Sequence, residues 1–148
     1  MPVGQQLLKI IQSGTLEINQ QCDDVNVSVN VEVSDRLSML VRRIYVRGGK
    51  RETNPILLKK QAQALVDRLT YLDRTLRLIE WDQISNIAQI RGRPDTAEGG
   101  APQYFEIIVD RFPSILLHRR LGNTTIPFHI SNECFVRLID DMVRIVQL

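Results

Sequence analysis

Residues 25–47 read VNVSVNVEVSDRLSMLVRRIYVR. Valines at 25, 27, 29, 31 and 33 alternate with Asn26, Ser28, Asn30 and Glu32, the period-two pattern of a strand with one dry face and one wet face. Ser34-Asp35-Arg36 supplies turn chemistry. The second strand then sets Leu40, Ile44 and Val46 on one side against Arg43, Tyr45 and Arg47 on the other. A hairpin with a basic, aromatic stripe is therefore predicted, and a hairpin of this kind followed by a helix recurs near the C-terminus.

Toward the N-terminus, Asp23-Asp24 predicts a turn preceded by a weak strand over 15–21, with Leu16 and Ile18 in phase. Gly14 separates it from a short helix marked by Leu7, Leu8 and Ile11. That opening segment is too short and too polar for a signal peptide and is expected to remain on the mature protein.

Toward the C-terminus, GGKRETNP is a polar connection, and Pro55 suits the first turn of a helix, where a missing N–H has no partner to lose. Leu58, Ala62, Leu65, Leu69 and Leu72 step by threes and fours, which predicts a helix over 55–73. Strands are expected at 75–83 and 85–91. Leu76, Leu78, Ile79 and Trp81 fit neither the strand nor the helix template cleanly.

The stretch RGRPDTAEGGAPQ, residues 91–103, reads as the mobile tip of a long hairpin whose return strand is 104–110. Strands at 114–121 and 124–130 follow, joined by a turn at Gly122-Asn123. Pro127 falls on the outward phase of the second, which points to a sheet edge. Ser131 is a good N-cap for a closing helix whose apolar face is Phe135, Leu138, Ile139, Met142, Ile145 and Val146.

These elements predict one α+β domain over 1–148, mainly antiparallel, with a short N-terminal helix and two long amphipathic helices. VSDRLSMLVRR (33–43) and VDRFPSILLHRR (109–120) share Val, Asp-Arg, a large apolar residue, Ser, three apolar residues and a basic pair. Either the chain is a strand-strand-helix duplication, 15–73 and 75–148, or two common motifs coincide. The order strands, helix, strands, helix over 15–148 resembles the Whirly family of single-stranded-DNA-binding proteins and the transcriptional coactivators that share its fold. That resemblance is one of shape and implies the layered architecture rather than a function. The lysine-glycine-rich strand motif of that family has no counterpart in this chain.

Composition narrows the classes. With 43% hydrophobic and 24% charged residues the chain is neither disordered nor membrane-like, and no apolar run approaches the roughly 18 residues that span a bilayer. Cys22 and Cys134 are the two cysteines and form no C-x-x-C pair, so neither a disulfide framework nor a zinc site is expected, and a reducing, cytoplasmic compartment fits. The net charge of +2 is unevenly spread. From Arg42 to Lys60 seven basic residues face Glu52 alone, which concentrates positive potential there.

No catalytic residues, cofactor or metal are expected. Gly48-Gly49-Lys50 lacks the spaced glycine and the following Ser or Thr of a phosphate loop. Asp23-Asp24 and Asp140-Asp141 are adjacent, so the members of each pair point apart rather than forming an acid/base dyad. Cys134 has no general base near it in sequence. His118 and His129 lack carboxylate or thiolate companions at metal-ligand spacing.

What remains is a set of cations and flat rings on the outward strand phases: Arg43, Tyr45, Arg47, His118 and Arg120, with Tyr104 and His129 nearby. Single-stranded nucleic acid needs such groups, cations for phosphates and rings for bases. The expected function is non-catalytic binding of single-stranded nucleic acid. The alternative is a protein-interaction or assembly module that forms oligomers through its sheet, for which Asn26, Ser28 and Asn30 offer an uncharged polar strand face.

Overall fold

The computed structural model describes residues 2–49, 51–96 and 100–148; Lys50 and the tip of the predicted 91–103 loop, residues 97–99, lie outside it. In chain order the elements are α1 (Val3–Gln12), β1 (Glu17–Cys22), β2 (Val25–Ser34), β3 (Ser38–Gly48) and α2 (Pro55–Arg68), followed by a 3-10 turn (Leu69–Tyr71). Then come β4 (Arg77–Asp82), β5 (Ile87–Arg91), β6 (Gln103–Asp110), β7 (Ser114–Leu121), β8 (Thr124–Ile126), β9 (Phe128–Ser131) and α3 (Asn132–Val146).

The strands form one antiparallel sheet in the order β1-β2-β3-β7-β6-β5-β4. Its dry face is the one the alternating valines announce: Val25, Val27, Val29 and Val31 of β2, Ile44 and Val46 of β3, and Ile115 and Leu117 of β7 are all buried. The three helices lie against that face side by side. α1 packs on β1, β2 and α3; α3 lies over β3, β7 and β9; α2 covers β4, β5 and β6. The buried faces are Leu7 and Ile11 of α1, Leu58, Ala62 and Leu65 of α2, and Phe135, Leu138, Ile139 and Met142 of α3. Each of these side chains larger than Ala62 contributes roughly 1.5–3 kcal/mol by leaving water.

The helix boundaries follow local chemistry. Asn54 caps α2 by accepting from the Leu57 N–H at 2.9 Å, with Pro55 in the first turn. Ser131 caps α3 by accepting from the Cys134 N–H at 3.1 Å. At the closed end of the β2-β3 hairpin, Asp35 Oδ1 accepts from the amides of Leu37 and Ser38 at 2.8 and 2.9 Å, which holds its pKa below the usual carboxylate value.

Three strand readings are corrected by register. Asn30 pairs with Arg43 but Val31 pairs with Val41, so Arg42 is an extra residue that reverses the phase of β3. Met39 and Val41 therefore enter the core and Leu40 is only half-buried. A second shift sets Val33 against Leu40, leaving Glu32 as the extra residue and Val33 59% exposed. The two extra residues join in an ion pair, Arg42 Nη1 to Glu32 Oε1 at 3.3 Å. In β4 the register slips between Leu78 and Glu80, which places Ile79 outward and accounts for its unreadable pattern.

The strand predicted over 124–130 is split at Pro127 into two short strands, each paired on one side among the described residues. β3 pairs with β7 only over residues 43–47 and 114–118; beyond them the two strands part, and segment 124–131 runs into the fork. Its first half, β8, pairs with β7 at 119–121, and its second half, β9, pairs with β3 at 38–41. Pro127 stands between the two halves, where the chain changes partner and an N–H is least needed.

Candidate nucleic-acid interface

With all three helices on one face, the other face of the sheet is open, and strand alternation decides what it presents. Arg43, Tyr45 and Arg47 alternate along β3 on that face. Cross-strand register adds the second group: His118 is the direct partner of Arg43, and Arg120, two residues further along β7, is opposite Tyr104 of β6 and Thr125 of β8. The five residues singled out in the sequence thus share one face.

Their environments differ. Arg43 and Arg47 are exposed, and among the described residues neither makes an ion pair. Tyr45, between them, is half-buried. The three side chains line a shallow polar depression of about 680 Å³ together with Asn26 and Ser28 of β2 and Asn19 of β1.

His118 is only 7% exposed. Its Nε2 lies 2.8 Å from Glu106 Oε1, and its Nδ1 lies 3.3 Å from the Thr125 hydroxyl. Glu106 Oε2 in turn accepts from Gln89 Nε2 at 2.7 Å and Arg91 Nε at 3.3 Å. The hydrogen bond from His118 is the main reason the Glu106 carboxyl is held down to about 2, with Gln89 and the charges of His118 and Arg91 adding to it against the cost of burial. His118 therefore acts within a buried network and orders the floor of the face. Arg120 is half-buried and donates weakly to Thr125 at 3.5 Å.

Two cations escaped the sequence reading. Asn30, Arg43, His118, Glu106, Arg91 and Arg77 are successive cross-strand partners, one row across six strands. Arg91 also stands over the Tyr104 ring at 5.1 Å, and Arg77 is exposed. The outward phase of Arg91 beside Gln89 was readable in β5; its place in the row required the strand order. His129, opposite Leu40 on β9, is exposed near Asp35, away from the depression.

The paired aspartates are occupied structurally. Asp140 Oδ1 accepts from the Gly4 amide at 2.8 Å, tying α1 to α3, and Asp141 Oδ2 accepts from the Tyr71 hydroxyl at 2.9 Å. Burial and that bond push the Tyr71 hydroxyl well above its ordinary pKa. Among the described residues no group of three or more His, Cys, Asp or Glu is placed to hold a metal ion, and no helix is long and apolar enough to cross a membrane. No protein-family model, curated protein or solved structure matches the chain.

Proposed function

We propose that the protein is a non-catalytic binding protein that takes single-stranded nucleic acid on the open face of its sheet, and that its likeness to the Whirly family is one of element order. The observation that carries this reading is the Arg43-Tyr45-Arg47 track: two guanidiniums, in no ion pair among the described residues, about 13 Å apart along one strand with a ring midway between them. Guanidiniums bind phosphate oxygens through their forked donors, and a base stacks on the ring, each stacked base contributing on the order of 1–3 kcal/mol. Arg120 and Tyr104 extend the track past the buried His118, and Arg91 and Arg77 extend it across the sheet.

The test is retention on immobilised single-stranded DNA at low salt. The protein is expected to be retained, and the double variant Arg43→Ala, Arg47→Ala is expected to wash through. Equal retention of both proteins, or none of either, overturns the reading.

One observation favours assembly as a second reading. Among the described residues β1 pairs with β2 alone, and its other edge, Glu17–Cys22, carries a single charge and no proline, so little discourages a strand from another subunit. Light scattering that gives the monomer mass across a wide concentration range removes it. A duplicated chain is the finer architectural proposal, supported by the equivalent placement of the matched segments: Asp35-Arg36 and Asp110-Arg111 lie at hairpin ends, and Ser38 and Ser114 open the two strands that pair at the sheet centre.

A further inference from the structure

On the helix side of the sheet, at the fork where β8 and β9 enter, lies a cavity of about 450 Å³ between the 3-10 turn, β6, β7 and the start of α3. Its walls include Leu72, Phe105 and Phe128, with Arg119, His129 and Cys134 among them, and among the described residues no carboxylate lines it. Phe105 and Phe128 meet edge to face, centroids 5.1 Å apart at 81°, which makes a rigid apolar wall.

Arg119 lies over this wall. Its guanidinium carbon is 4.7 Å from the Phe105 centroid, and among the described residues it makes no hydrogen bond or ion pair. A guanidinium stacked on a ring keeps its N–H donors in a plane, available for a two-point bond to a carboxylate. The neighbouring depression shares Leu72, Phe105 and Arg119 and adds Arg93. Asp73, also on that side, is turned to the amide and hydroxyl of Thr75 at 2.8 and 2.6 Å. Asp95 lines the same depression, but among the described residues no carboxylate forms an ion pair with Arg119, so this half-buried cation keeps its donors unused beside an apolar wall.

We propose that this cavity binds a small organic anion, a carboxylate carried on a flat apolar body, with the carboxylate on Arg119 and the body against Leu72, Phe105 and Phe128. Its volume lies in the range of roughly 300–1,000 Å³ usual for small-molecule sites. The site is on the opposite face from the Arg43 track and stands independently of nucleic-acid binding.

The probe is 1-naphthoate, with the neutral isostere 1-naphthalenemethanol as control. In a Cys22→Ser background Cys134 is the remaining thiol. 1-Naphthoate is expected to slow its alkylation by iodoacetamide, and the neutral alcohol to do so at least about tenfold less effectively. Arg119→Gln, which keeps polarity and removes charge, is expected to erase the difference. Calorimetry on the unaltered protein gives the same comparison without any variant. Equal binding of acid and alcohol, or no binding of the acid up to about 1 mM, overturns the proposal.

Discussion

Arg43 of β3 and His118 of β7 are direct cross-strand partners at the centre of the sheet, although they come from opposite halves of the chain. One is exposed and makes no ion pair among the described residues; the other is buried on Glu106. The same face thus combines a rigid polar floor with free cations above it, and each component has a measurable consequence.

If phosphates bind at Arg43 and Arg47, affinity for single-stranded DNA must fall with salt. The slope of log K against log salt is expected to be about −0.7 per phosphate contact, so Arg47→Ala reduces it by about 0.7. A slope unchanged by that substitution removes Arg47 from the contact.

The folded pKa of Glu106, about 2, lies below its ordinary 4.5. A depressed carboxyl stabilises the fold above its unfolded pKa and loses that contribution as pH falls through the folded value, so stability should decline between about pH 4.5 and 2. The contribution at neutral pH is at most roughly 3–4 kcal/mol. Urea denaturation is expected to show Glu106→Gln as less stable than wild type at pH 7 and flatter in acid. An identical acid profile in both proteins contradicts the assignment.

The phase reversals near Glu32 and Arg42 make a paired test. Val29 is 0% exposed and Val33 59%. Val29→Thr buries a hydroxyl and is expected to cost about 1–3 kcal/mol, while Val33→Thr stays within about 0.5 kcal/mol. Equal losses at both sites refute the bulged register.

Ser131 closes the last turn between β9 and α3. Ser131→Ala leaves the Cys134 amide without its acceptor and is expected to cost about 1 kcal/mol in thermal or chemical unfolding, whereas Ser131→Asp is expected to be tolerated. A neutral alanine variant shows that the cap adds nothing to α3.

Much of this was legible in the chain. The alternation of Val25 to Val31, the three-and-four spacing of Leu58 to Leu69, and the Pro55 and Ser131 helix starts are short-range signals that the structure repeats. The extra residues in β2, β3 and β4 were not, because a bulge changes no composition and is recognised only by what the partner strand opposes to it. For the same reason Val33 and Leu40 were assigned to the wrong faces.

The candidate interface divides similarly. Period-two alternation was enough to set Arg43, Tyr45 and Arg47 on one side of one strand. Joining them to Arg120, adding Arg91 and Arg77, and sealing His118 against Glu106 all required β7 to lie between β3 and β6. Local chain chemistry prescribes which side of a strand is dry. Which strands become neighbours, and hence which charges are buried or left facing water, depends on pairings between distant residues that only the packed sheet creates.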